Sequence, residues 1–239
     1  RVHGERMQRH DESVLAYLAR LYDEGERQHA CRAETPAEVA TWQRTARSAL
    51  RHLIGLERIA ASVGDHRPTV ELGPAEELDG YTRQHGQIEA EPHISIPFWL
   101  LKPKGEGPFP LALMPHGHSA VGYHIYAGIA HDEETRRRMI EEDRDVAVQA
   151  VREGFLAIAP ATRGLGCNGV PDINGRHGDR DCRSQLLHCL LAGRTPLGER
   201  VWDMMRLLDW ATALPEVDPE TILMMGNSGG GVATIYTAA

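Results

Sequence analysis

No apolar run in the 239 residues approaches the roughly 20 needed to span a bilayer, so no membrane partner is expected. A basic stripe is missing as well. Asp and Glu outnumber Lys and Arg by 34 to 26, a formal charge of −8, and that excludes the electrostatic footprint of a nucleic-acid reader. Positive charges come mixed with acids, as where Arg136-Arg137-Arg138 is followed by Glu141-Glu142-Asp143, the pattern of a solvated helix face. The four cysteines, Cys31, Cys167, Cys182 and Cys189, form no C-x-x-C pair, and a chain of this length needs no disulfide staples. A reduced, cytoplasmic protein is the expectation, although a mature secreted form also fits a chain beginning at Arg1. Internal repeats and low-complexity stretches are absent.

The first 65 residues read as a helical extension. Thr35-Pro36-Ala37-Glu38 has the form of a capping box with proline at the first helical position. Val39, Trp42, Ala46, Ala49, Leu53, Leu56 and Ala60 follow at spacings of three and four, a single helical stripe. Val14, Leu18 and Leu21 suggest an earlier helix, and all these residues read as packing positions without chemistry.

From residue 66 to 239 the pattern is that of an α/β core. Residues 81–90 and 93–102 read as strands, the second carrying Pro97 and therefore expected at an edge or a bulge. Short, nearly continuous apolar runs at 111–114, 155–159 and 222–225 are what parallel strands buried on both faces look like. Helical segments at 133–153 and 197–214 separate them, and strands alternating with helices predict a mostly parallel sheet flanked by helices.

Gly226-Asn227-Ser228-Gly229-Gly230 matches G-x-S-x-G, a pattern expected about 0.07 times by chance from seven serines and 24 glycines. An apolar strand, Thr221–Met225, enters it and a helix start, Val232–Tyr236, leaves it, which is the context a nucleophile elbow requires. A serine at such a turn sits on strained backbone with its hydroxyl above the sheet, and the flanking Gly226 and Gly230 let strand and helix approach closely. The Gly229 amide, at a helix N-terminus, then faces the oxygen that turns negative during acyl transfer. A phosphate loop would need Gly-Lys-Ser/Thr, which is absent.

With Leu111–Ser119 ending in His116-Gly117-His118, the sequence resembles the α/β-hydrolase superfamily, in its acetyl xylan esterase and dienelactone hydrolase-like branch. The resemblance covers roughly residues 80–239 and extends to Arg163-Gly164-Leu165-Gly166, to Gly193–Gly198 with Asp203 and Trp210, and to Pro215–Pro219. It implies an α/β-hydrolase fold, a catalytic Ser228, an oxyanion hole made by the amides of Gly229 and His118 with Gly117 giving the loop room, and no cofactor. A zinc pair at His116 and His118 is the competing reading of that loop; no third ligand stands at metal-like spacing, so no metal is expected. The sequence departs from dienelactone hydrolase at the nucleophile, cysteine there and Ser228 here. Arg163, Asp203 and Trp210 read as structural.

The implied activity is hydrolysis of a carboxylic ester with a small, acetyl-like acyl group, through an acyl-enzyme, on a small-molecule substrate. The alternatives are a prolyl-oligopeptidase-type serine peptidase, for which the propeller repeats are absent, and an inactive hydrolase fold used as a binding module. Support for the last comes from another absence. In this fold the acid and histidine of a triad follow the serine, yet the 11 residues after Ser228 contain no Asp, Glu or His. The C-terminal strands are also missing from the pattern, so the sequence is expected to be part of a longer enzyme, or a homo-oligomer in which a partner completes the sheet. His177 or His188 could serve as base only by a topology foreign to the resemblance.

Overall fold

The computed structural model describes residues 13–166, 169–176, 178 and 180–239. The chain divides between Ser48 and Ala49 into two compact units. Helix α1 (Val14–Glu24) starts at Ser13, whose Oγ accepts the Ala16 amide at 3.2 Å. Helix α2 (Pro36–Leu53) is opened by the expected capping box. The Glu38 amide donates to Thr35 Oγ1 at 3.3 Å and the Thr35 amide to Glu38 Oε2 at 3.1 Å, which satisfies two otherwise unpaired donors.

The larger unit begins before residue 66. Helix α3 (Leu56–Val63) buries Leu56, Ile59 and Val63 in the core of that unit, so its apolar stripe belongs to the sheet packing. Six strands follow: β1 (Thr69–Glu77), β2 (Tyr81–Glu91), β3 (Ile94–Pro103), β4 (Phe109–Leu113), β5 (Leu156–Pro160) and β6 (Val217–Met224). They lie in the order β1-β2-β3-β5-β4-β6. The first three and β5 pair antiparallel, whereas β5, β4 and β6 are mutually parallel.

Side-chain alternation divides the core into two layers. Leu111, Leu113, Leu156 and Ile158 face one side with Phe98, under α3 and helix α8 (Pro196–Thr212), which contributes Val201, Met204 and Leu207. Ala112, Met114, Ala157 and Ala159 face the other, under helix α6 (Val146–Arg152) with its Ala147, Val148 and Val151. Strands β4 and β5 thus send larger residues to the first layer and mainly alanines to the second.

Four details depart from the sequence expectation. The strand β1 was not foreseen: it is largely exposed and carries Gly73-Pro74 at a register shift between Leu72 and Ala75, so it shows no apolar alternation. The strand with Pro97 is interior, between β2 and β5, rather than at an edge. Its pairing with β5 starts only at Phe98, beyond the residue that lacks an amide hydrogen. The segment 133–153 is two helices, α5 (Glu133–Glu141) and α6, broken where Asp143 takes a left-handed φ of 49°. Finally, the stretch between β5 and α8 contains a further helix, α7 (Asp181–Leu191), absent from the sequence reading.

Among the described residues β6 pairs with β4 alone. Its Ile222 and Leu223 stay 45% and 40% exposed. No helix there is long and apolar enough to cross a membrane.

Candidate active site

Strand β6 ends at Met224, and helix α9 (Gly229–Ala238) begins five residues later with Ser228 as its N-cap. Ser228 has φ 51° and ψ −119°, outside the comfortable range of a residue with a Cβ. A sharp reversal of this kind persists only where the surroundings enforce it. Here the enforcement is close packing of backbone on backbone. A Cβ on Gly226 would stand 2.7 Å from Pro115 O, and one on Gly230 would overlap Pro115 O and come within 2.7 Å of the His116 carbonyl carbon. Both glycines therefore support the elbow by having no side chain. The Ser228 residue itself is exposed.

The loop after β4 forms the facing wall. Gly117 lies so near the elbow that a Cβ there would be 2.8 Å from Asn227 O and 3.0 Å from Ser228 Cβ. This brings residues 116–118 alongside the serine, the first of the arrangements the sequence requires. Gly229 is the first residue of α9, so its amide has no intrahelical acceptor, and it packs against Leu165, whose Cδ1 would be 2.6 Å from an added Cβ.

His116 is buried and both its ring nitrogens are committed. Nε2 accepts the Thr162 amide at 3.0 Å, so the ring proton is on Nδ1, which donates to Gly117 O at 2.6 Å. Burial pushes its pKa down to about 4, which keeps the ring neutral. These bonds remove His116 from any zinc pair: it is a brace between the loops following β4 and β5. No group of three or more His, Cys, Asp or Glu among the described residues converges as a metal site would require.

The cleft over Ser228 has a volume of about 380 Å³. Beyond the elbow and the 116–119 loop it is lined by Ile125 and Tyr126 of helix α4 (Gly122–Tyr126) and by Asp143 and Arg144 from the break between α5 and α6. Nothing in the sequence pattern singles out these four, because α4 has only five residues and the break between α5 and α6 rests on one left-handed aspartate inside a charged run. Tyr126 also hydrogen-bonds the Asn227 backbone, and burial pushes its phenol up.

None of the described histidines is hydrogen-bonded to Ser228. His118 turns its side chain away, placing Nε2 3.3 Å from Cys182 Sγ. His124 Nδ1 accepts from Trp99 Nε1 at 3.0 Å, and His188 Nδ1 bonds Ser184 O on its own helix α7. His177 lies outside the described residues. Arg163 and Asp203, read as structural, are buried together. Arg163 Nε donates to Asp203 Oδ2 at 3.0 Å and Nη1 to Glu91 Oε1 at 2.7 Å, while Arg194 joins Glu91 from the other side. Burial opposes the Arg163 charge, but Asp203, Glu199 and Glu91 together hold its pKa above the ordinary guanidinium value. The network fastens the turn after β5 to α8, and none of its residues lines the cleft.

No family model matches the chain. Among individual proteins it is 25% identical over 187 residues to YtaP of Bacillus subtilis, a protein named as a hydrolase, covering 77% of this chain and 58% of that one. A crystal structure from Bacteroides fragilis, of a protein named as an acetyl xylan esterase, superposes with a TM-score of 0.77 at 18% identity, over 94% of this chain and 56% of that one. The glucuronoyl esterase of Solibacter usitatus gives 0.53 at 16% identity, over 83% and 55%. The chain thus spans somewhat over half the length of these proteins. Its sheet and flanking helices are those of the α/β-hydrolase fold.

Proposed function

We propose that this chain carries the nucleophile and oxyanion donors of a serine-dependent carboxylic ester hydrolase. The observation that carries the reading is Ser228: an exposed serine at φ 51° and ψ −119°, between a strand and a helix, at the base of a cleft walled by the Gly117 loop. In the proposed reaction Ser228 Oγ attacks the ester carbonyl, and the negative oxygen is held by the amides of Gly229 and His118. The alcohol leaves with a proton, and water then releases the acid from the acyl-enzyme. A serine hydroxyl needs a base to do this at neutral pH. None of the described histidines is hydrogen-bonded to Ser228, so in this reading the base is another imidazole.

Esterase activity is supported by the names of the structurally similar proteins. Those names place the sugar on the alcohol side in one case and on the acid side in the other, so they support the ester bond more than either substrate. A small acyl group is favoured by the tight approach of Gly117 to Ser228. A second reading, a binding module on a hydrolase fold, is favoured by one observation: no described imidazole reaches Ser228.

The deciding experiment exposes the protein to a fluorophosphonate and assays p-nitrophenyl acetate against peptide anilides. Labelling at Ser228, absent in Ser228→Ala, together with hydrolysis of the ester alone supports the esterase. An unlabelled serine and no turnover support the binding module, and anilide cleavage would point to a peptidase.

A further inference from the structure

A second nucleophile stands beside the His118 side chain. Cys182 is the second residue of α7, partly buried, with Sγ 3.3 Å from His118 Nε2. The pair lines a cleft of about 470 Å³ together with Ser119, Leu165, Arg180 and Asp181, and this cleft shares only His118 and Ser119 with the one over Ser228. Arg200 stands nearby. Its Nε donates to Arg163 O at 2.8 Å, and burial lowers its pKa while Cys182 is first among the groups that raise it. The site therefore combines a thiol, an imidazole within proton-transfer distance, Arg180 and Asp181 in the cleft wall, the N-terminal end of an 11-residue helix, and space for a ligand.

We infer that Cys182 is a site of covalent modification by small soft electrophiles, with His118 as the group that takes the thiol proton. In the step itself, with the His118 ring proton on Nδ1, Nε2 accepts the proton from sulfur as the sulfur lone pair attacks carbon. The S–C bond forms, the bond from carbon to its leaving group breaks, and the leaving group departs as an anion. With iodoacetamide as the electrophile the products are the carbamidomethyl thioether, iodide and an imidazolium at His118. Arg180 in the cleft wall and Arg200 nearby favour the negative charge that develops on sulfur and on the leaving group, against the opposing charge of Asp181. The activity is independent of the proposed ester chemistry, which uses the His118 amide rather than its ring.

Two other cysteines provide references within the same chain. Cys31 is exposed, and Cys189 is buried among groups that push its thiol up to about 12. The native protein is treated with limiting iodoacetamide and the modified peptides are mapped by mass over time. Cys182 is expected to react about tenfold faster than Cys31, with Cys189 slowest. In His118→Leu, Cys182 is expected to fall to the rate of Cys31. If that variant does not fold, the unsubstituted protein in urea serves instead, and there the rates of Cys182 and Cys31 must converge. A native Cys182 that reacts no faster than Cys31, or a folded His118→Leu protein that keeps the full rate, overturns the proposal.

Discussion

The buried ring of His116 accepts the Thr162 amide at 3.0 Å, and so the loop that faces Ser228 is fastened to the loop leaving the neighbouring strand. That fastening works only with a neutral imidazole. A proton on Nε2 would place two donors against each other inside a site that water does not reach.

Acid should therefore weaken the fold in a defined window. The unfolded His116 titrates at 6.5 and the folded one at about 4. The unfolded state then binds more protons between those values, so stability is complete above pH 6.5 and falls as the pH drops toward 4. For this largely buried ring the loss is on the order of 3 kcal/mol. Urea unfolding at pH 7 and at pH 4.5 should show it, and His116→Gln, less stable at pH 7, should show a shallower dependence. An equally steep slope in the variant would place the acid sensitivity elsewhere.

A methyl group at either glycine of the site should separate stability from activity. Ala at Gly230 collides with the Pro115 carbonyl, a backbone atom that cannot rotate away, and should destabilise the protein by about 1–3 kcal/mol. Ala at Gly117 meets Asn227 O, likewise a backbone atom, at 2.8 Å and the Ser228 Cβ at 3.0 Å, a milder overlap than the one at Gly230. Gly117→Ala should therefore lose less stability than Gly230→Ala, while ester turnover, where the assay detects it, falls at least tenfold. Equal losses of stability in the two variants would contradict this ranking.

Much of this site was legible because its residues report backbone geometry directly. Gly226, Ser228 and Gly230 at fixed spacing, with an apolar strand before and a helix after, specify a turn that few other sequences need. Gly117 was legible by resemblance. Asp143, Arg144 and Tyr126 were not, since they reach the cleft through a helix break and a five-residue helix that leave no periodic signal. The strand β1 was hidden for a related reason: an exposed strand with a bulge lacks the alternation that burial imposes. Pro97 misled because pairing on one side of β3 stops just short of it.

The buried charge network gives a prediction about fastening rather than catalysis. Asp203 is fully buried and its carboxylate is bridged by both Arg163 nitrogens on that side. Asp203→Ala leaves the guanidinium with Glu91 at 2.7 Å but without its bidentate partner. Removing one member of such a pair costs about 3–5 kcal/mol, whereas apolar residues at both positions can restore most of it. Urea midpoints of Asp203→Ala, Arg163→Met and the Arg163→Met/Asp203→Leu double variant test this. The double variant should be more stable than either single one, and additive losses would show that the charges act independently.

The backbone at Ser228 leads to the sharpest expectation. Held at φ 51° and ψ −119°, a residue with a Cβ stores roughly 1–3 kcal/mol of strain. Glycine adopts that conformation without the strain, but gives back about 0.5–1 kcal/mol through the greater freedom of its unfolded chain. Ser228→Gly should therefore raise the unfolding free energy by about 1 kcal/mol and abolish any labelling by a fluorophosphonate. Ser228→Ala removes the same hydroxyl but keeps the Cβ, so it should lose the labelling and gain little or no stability from the backbone. The difference between the two variants isolates strain from hydroxyl chemistry. If glycine proved no more stabilising than alanine, the turn would be relaxed, and the argument that the fold holds this serine under tension for a chemical purpose would fail.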